Sequence, residues 1–365
     1  MKKVLFLGLK IFSVGGIEQV NKNWLFALSS LRDKKSISFK AISAYDDIVD
    51  SKYIDEKSIE VCKSNKWIFG IKAIWNAIRS DVVIISHLNL SLFVSIAKLI
   101  SPRTKILVQI HGIEAWRELS GVQEKLLLQA HQILAVSEFT KQSILSRYSN
   151  LEHKTIVLPN SLDPIKQYLI DENKGIEFRK KIGIADNQKL IITVGRIHHE
   201  EAYKGYDKTI EALHLLKNEN VVFHIIGKYD RIEQQRIFEL LIKYDLVGQV
   251  KLVGYVSDEE LDLYYQSADL FVMPSVGEGF GLVFIDAMAN GLRVIGGNKD
   301  GSVDAISPVD LSATVNPENI EELSALLKSK LNENWNLEKK ISLSNKCIST
   351  FSSTVFEKNI SSILN

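Results

Sequence analysis

Twice along the chain, short apolar runs rich in Val, Ile and Leu alternate with longer amphipathic stretches, and this rhythm limits the possible folds more than any other feature. Residues 4–9, 82–86, 106–110, 133–136 and 155–158 are too short for helices and too continuously apolar for strands with one wet face. They read as buried strands of a parallel sheet, with helical patterns over 18–31 and 68–79 between them. A second series follows at 190–194, 222–226, 250–252, 270–273 and 293–295, separated by helical patterns over 206–217, 234–243 and 258–267. Alternating β and α elements predict two doubly wound α/β domains, and 365 residues suffice for both. The boundary falls in 160–188, where PNSLDP leads into a polar stretch before the strand at 190. Ligands of such sheets sit at the carboxyl ends of the strands, so the expected active site is a deep cleft that the two domains face.

Composition narrows the function. The run 4–9 is too short for a signal peptide, and no apolar run reaches the roughly 18 residues of a membrane span, so a cytoplasmic location is expected. Cys62 and Cys347 lie far apart without metal-ligand spacing, which predicts free thiols and neither a disulfide framework nor a zinc site. Residues 1–160 hold 22 Lys and Arg against 14 Asp and Glu, whereas the rest of the chain has an acidic excess. The basic half suits an anionic partner such as a phosphorylated acceptor or an acidic lipid surface, and lysines spread over a solvated face would account for it as well. No dense Lys/Arg run interleaves with stacking aromatics, so nucleic acid is not an expected partner.

The segment SVGEGFGLVFIDAMANG, 275–291, follows a predicted strand and carries helical composition over 281–290. Gly279, Phe280, Gly281 and Leu282 then stand at a helix N-terminus, where unpaired N–H groups favour a phosphate. Glu278 precedes this cradle, and Asp286 lies nearly two turns into the expected helix. Their spacing suits a sugar, a diphosphate and a ribose in a row; two solvated acids beside an ordinary turn are the alternative.

VGRIHHEEAYKGYD places Arg196 directly after a strand and Lys204 on the loop into the next helix. A guanidinium and an ammonium there can neutralise a diphosphate leaving group, or pair with surface acids. His198 and His199, being adjacent, are expected to be loop residues and not a metal pair. Gly15 and Gly16 separate the first strand from its helix; they do not form GxGxxG, which disfavours a nicotinamide dehydrogenase, but allow close backbone approach to a ligand or simply a tight turn. His87 and His111 end neighbouring strands, and His111 is the favoured contact to a sugar hydroxyl.

In this order, GGIE at 15–18, HG at 111–112, PNSLD at 159–163, VGR with KG at 194–205 and EGFGLVFIDAMANG at 278–291 resemble the family 4 retaining glycosyltransferases of GT-B fold. The resemblance implies an acceptor-binding domain over 1–165, a nucleotide-sugar-binding domain over 166–347, and a C-terminal helix over 348–365 crossing back to the first. It implies Arg196 and Lys204 on the diphosphate, Glu278 and His111 on the donor sugar, Asp286 on the ribose, Gly15 and Gly16 against the phosphates or sugar, and no obligatory metal or cofactor. The implied reaction moves a hexose from a UDP- or GDP-sugar to a glycan, lipid-linked in bacterial surface polysaccharide synthesis, with peripheral contact to the inner membrane. A nucleotide-sugar epimerase of the same fold and a non-catalytic sugar-nucleotide binder are the alternatives. Three departures stand out: Asp286 replaces the usual Glu, Ser161 the usual Gly, and GKYD the usual glycine-rich turn. The segment 67–80, WIFGIKAIWNAIRS, mixes aromatics with Lys72 and Arg79 and reads either as a core helix or as one resting on a membrane.

Overall fold

The computed structural model describes every residue from Met1 to Asn365 except Glu219. The chain forms two compact units, Met1–Lys166 with Phe351–Asn365, and Gln167–Thr350.

In the first unit seven parallel strands form one sheet: β1 (Lys2–Gly8), β2 (Ile37–Ser43), β3 (Ile59–Val61), β4 (Val82–Ile85), β5 (Lys105–Ile110), β6 (Gln132–Ala135) and β7 (Thr155–Val157). Their order is β3-β2-β1-β4-β5-β6-β7. The central strands are buried along nearly their whole length, as the continuous apolar runs require. Strands β2 and β3 do not stand out in the sequence because Lys40 and Glu60 interrupt them, and these two side chains form an ion pair on the sheet's edge.

In the second unit six parallel strands follow the same plan: β8 (Lys189–Val194), β9 (Val221–Ile226), β10 (Val250–Gly254), β11 (Leu270–Met273), β12 (Val294–Gly297) and β13 (Thr314–Val315), in the order β10-β9-β8-β11-β12-β13. Both sheets reverse their direction of winding once, between β1 and β4 and between β8 and β11. Connections diverge to opposite faces at such a point and leave a crevice at the strands' carboxyl ends.

The C-terminal segment is not one helix over 348–365. Helix Leu337–Phe351 ends, Ser352 caps a new start by accepting from the Val355 N–H, and helix Ser353–Leu364 follows. Phe356, Ile360 and Leu364 recur every four residues and are buried, while Val355 and Ile363 are only partly covered. Phe356 packs edge-on against Trp24 of helix Gly16–Asp33 at 5.5 Å between ring centroids. Burial of each such side chain contributes about 1.5–3 kcal/mol to holding the tail on the first unit.

Candidate functional site

The second unit gathers its chemistry where β8 and β11 part. Arg196 leaves β8 with its side chain 72% exposed, and Lys204 lies eight residues on with its side chain nearly buried. Both are ion-paired to Glu201, a residue the sequence reading passed over. Lys204 Nζ also donates to the Arg196 carbonyl at 3.0 Å. The loop therefore folds around one carboxylate shared by two cations. Burial pulls the Lys204 ammonium down to about 8 against the opposing attraction of Glu278, so it remains a cation at neutral pH.

Close backbone approach locks this loop to the one after β11. Gly205 has φ +76°, and a Cβ there would lie 2.2 Å from the Pro274 carbonyl oxygen, so only glycine fits. The Val276 N–H donates to the Tyr203 carbonyl at 2.9 Å. Glu278 is thereby held beside the cations. Desolvation raises its carboxyl to about 7, with Lys204 opposing the rise and Asp300 adding to it. Asp300, itself buried, accepts from the Glu278 N–H at 2.7 Å and the Ser302 N–H at 3.0 Å. Burial raises its carboxyl too, against those hydrogen bonds. Gly301 lets the backbone after β12 pass Gly279, where a Cβ would stand 2.0 Å from the Gly279 oxygen.

The helix after this turn is Leu282–Ala289, shorter than the expected 281–290, and Gly281 is its N-cap at φ +86°. Gly279 and Phe280 belong to the preceding turn, and Leu282 opens the helix. Asp286 is the fifth helical residue, just over one turn in and not nearly two. The Tyr168 hydroxyl donates to Asp286 Oδ1 at 2.8 Å, a partner 118 residues away that no local pattern reveals. Leu282–Ala289 is mostly buried, and its N-cap Gly281 supplies no side-chain cap to the first N–H groups of the helix.

His198 caps and His199 opens a short 3-10 helix, His199–Lys204, so the two are not both loop residues as expected. Their rings lie 4.3 Å apart, and His199 Nδ1 and His198 Nε2 stand 3.0 and 3.4 Å from Asp230 Oδ2. Among the described residues this is the group that brings three metal-capable atoms together, within 4.8 Å of one another. Asp230 is also the N-cap of helix Arg231–Lys243, and its backbone donors from Glu233 and His199 hold its carboxyl well below the usual range. These contacts tie both histidines to the start of that helix.

Within the first unit, Gly15 is the N-cap of helix Gly16–Asp33, and Gly16 has open space where a Cβ would stand. The loop between β1 and this helix is fixed by buried Asp46, which accepts from the Ile11 N–H at 2.7 Å and the Phe12 N–H at 3.1 Å. His111 follows β5, and its Nε2 meets the Ser86 carbonyl at 2.8 Å, which fixes the tautomer and leaves Nδ1 for a ligand. Its backbone N–H is taken by buried Glu114 at 2.5 Å. His87, after β4, has its imidazole lowered first by burial, with Glu114 opposing and His111 and Arg117 adding to the fall. Ser161, which departs from the expected glycine, is buried and receives Asn23 Nδ2 at 2.8 Å on its carbonyl and 3.0 Å on its hydroxyl. Its side chain thus replaces the glycine's freedom with a tie to the first helix.

Residues 175–346 match the family Glycosyl transferases group 1. The matched span takes in nearly all of the second unit. Over 232 residues the chain is 30% identical to an O-antigen chain mannosyltransferase of Escherichia coli, covering 62% of this chain and 58% of that one. An uncharacterised glycosyltransferase of Methanocaldococcus jannaschii is 29% identical over 195 residues, 53% of this chain and 49% of its own length. The chain spans about half the length of the curated relatives it matches. In fold, the whole chain is similar to the Anabaena protein HepE, solved in complex with UDP, at a TM-score of 0.80 and 18% identity, covering 100% of this chain and 99% of that one. The two parallel α/β units are those of the GT-B glycosyl transferases, as the ordered motifs implied. The group 1 match covers Arg196, Lys204 and Glu278, which the second unit draws together, and Asp286, which it holds against Tyr168; Gly15, Gly16 and His111 lie outside the match, in the first unit.

Proposed function

We propose that this protein transfers a hexose from a UDP- or GDP-sugar to a glycan acceptor, lipid-linked and destined for a bacterial surface polysaccharide. The observation that carries this reading is the meeting, at the switch point of one sheet, of Arg196 and Lys204 after β8 with Glu278 and the Gly281-capped helix start after β11. Two cations and a row of backbone donors are suited to a diphosphate, whose charge grows as the glycosidic bond to phosphate breaks. The E. coli relative's action on O-antigen and the UDP bound by the Anabaena protein support donor and pathway class alike.

In the proposed reaction the diphosphate leaves from the sugar's anomeric carbon, and the acceptor hydroxyl attacks from the same face, preserving configuration. A phosphate oxygen takes the acceptor's proton, and Arg196, Lys204 and the helix N–H groups hold the negative charge. Glu278, poised near neutrality, can bind a sugar hydroxyl as donor or acceptor. His111 Nδ1 offers a further sugar contact, Gly15 and Gly16 line the donor's phosphates or sugar, and Asp286 takes the ribose hydroxyls beside Tyr168. No obligatory metal is needed for this division of charge. The test is incubation of the purified protein with isotope-labelled UDP- and GDP-sugars and an extracted glycolipid fraction, with and without chelator, reading label transfer and anomeric configuration by NMR. Label in the glycolipid with retained configuration supports the reading. Isomerised donor without an acceptor would assign an epimerase instead.

A further inference from the structure

Helices Lys66–Ala77 and Ser91–Ile100 connect β3 to β4 and β4 to β5. Both crossings advance in the same direction along a parallel sheet, and right-handed crossovers of that kind place their helices on one face. Their inward stripes, with Phe69, Ala73, Ala77 and Val94, join a single core, and Phe69 meets Phe93 edge-on at 5.4 Å. The opposite stripes are also apolar and face solvent. Trp67, Ile71 and Trp75 recur every four residues on the first helix, and Leu92, Ile96 and Leu99 at intervals of four and three on the second. Trp67 is 85% exposed and Leu99 68%. An apolar strip across two packed helices is unusual on a monomeric surface and marks an interaction site.

Charge indicates what covers it. Residues 62–105 contain seven Lys and Arg against one acid, Asp81, whose carboxylate is engaged by the Lys3 N–H at 2.7 Å and whose backbone carbonyl accepts from the Lys105 N–H. Lys63 and Lys66 stand exposed at the start of the first helix, and Arg103 and Lys105 beyond the end of the second, so cations bracket the strip at both ends. Lys72 is held by Glu60, and Arg79 stacks on the Trp75 ring at 3.1 Å, where it can remain charged at an interface. Among the described residues no helix is long and apolar enough to cross a membrane. We propose that this two-helix face docks in the plane of an anionic lipid surface, with Trp67, Ile71, Trp75 and Leu99 among the acyl chains' upper segments and the flanking cations on the headgroups. The inference deepens the proposed use of a lipid-linked acceptor but stands on this surface alone.

The test is sedimentation of the full chain with vesicles of phosphatidylcholine containing 30% phosphatidylglycerol, against pure phosphatidylcholine, with tryptophan emission recorded in parallel. Binding to the anionic vesicles with a blue shift is expected. It should weaken with salt and fall at least tenfold in Trp67→Ser/Leu99→Ser, whose exposed positions leave the thermal melt unchanged. Protein that stays in the supernatant, or pellets equally in the double variant, overturns the proposal. So does a dimer in sizing runs that the variant converts to monomer without any vesicle binding, which would assign the face to a second copy. The assay contains no sugar nucleotide, so vesicle binding without sugar transfer would contradict only the proposed function.

Discussion

Glu201 and Lys204, three residues apart after β8, form an ion pair in which both side chains are nearly buried. Arg196 completes the cluster from outside, with its guanidinium on the same carboxylate. The cations proposed for a diphosphate are therefore held in place before any ligand arrives, by a carboxylate whose removal would strand a buried ammonium. Glu201→Ala should destabilise the protein by about 3–5 kcal/mol, the usual cost of leaving one partner of a buried pair. Adding Lys204→Met should recover much of that loss. Denaturant melts of the single and double variants would show it, and equal losses in both would mean the pair is not what holds the loop.

The Glu278 carboxyl is raised from its ordinary 4.5 to about 7. A raised acid favours the protonated form in the folded state, so its contribution is present below about 4.5 and is lost as pH climbs through about 7. Glu278→Gln removes that loss. The melting temperature of the variant minus that of the parent should therefore grow between pH 4.5 and 7 and level off above. A difference independent of pH would show that Glu278 ionises as an ordinary surface acid.

At Gly205 the left-handed φ and the contact with Pro274 act together. Gly205→Ala should cost at least about 2 kcal/mol of stability. Because the two loops part, the variant should also lose sugar-nucleotide binding, measured by calorimetry at a temperature where it remains folded. Unchanged stability would refute the close approach of the loops.

The Tyr168 hydroxyl positions Asp286. If Asp286 holds the ribose, Tyr168→Phe should raise the donor KM several-fold and leave kcat within about twofold, since the interaction serves ground state and transition state alike. A fall in kcat at constant KM would place Tyr168 in the reaction step.

The central strands, both sheets and the two loops that carry Arg196, Lys204 and Glu278 were legible because buried parallel strands leave continuous apolar runs and because glycine beside an acid at a strand end is an uncommon local pattern. The edge strand β3 and its neighbour β2 were not, since the sheet's border tolerates Lys40 and Glu60, which break the runs. Glu201, Asp300 and Tyr168 escaped for a different reason. Asp300 and Tyr168 act through partners set by the fold, across 22 residues for Asp300 and Glu278 and 118 for Tyr168 and Asp286. Glu201 alone left a local trace, its three-residue spacing from Lys204, in a segment crowded with other charges. The exposed strip on Ser91–Ile100 was invisible because an apolar helix in a sequence reads as buried until its neighbours are known.

The central claim is that Arg196 and Lys204, beside the Gly281-capped helix, bind a nucleotide diphosphate. The most direct measurement is the thermal shift of the purified protein with UDP, GDP, ADP, dTDP and CMP and their sugar conjugates, in parallel with Arg196→Ala. Arg196 is largely exposed, so the variant should melt within a few degrees of the parent. One diphosphate at 100 times its dissociation constant should stabilise the parent by about 2.7 kcal/mol, with the shift abolished or sharply reduced in the variant. No response to any nucleotide, or a response that survives loss of the guanidinium, would contradict the account.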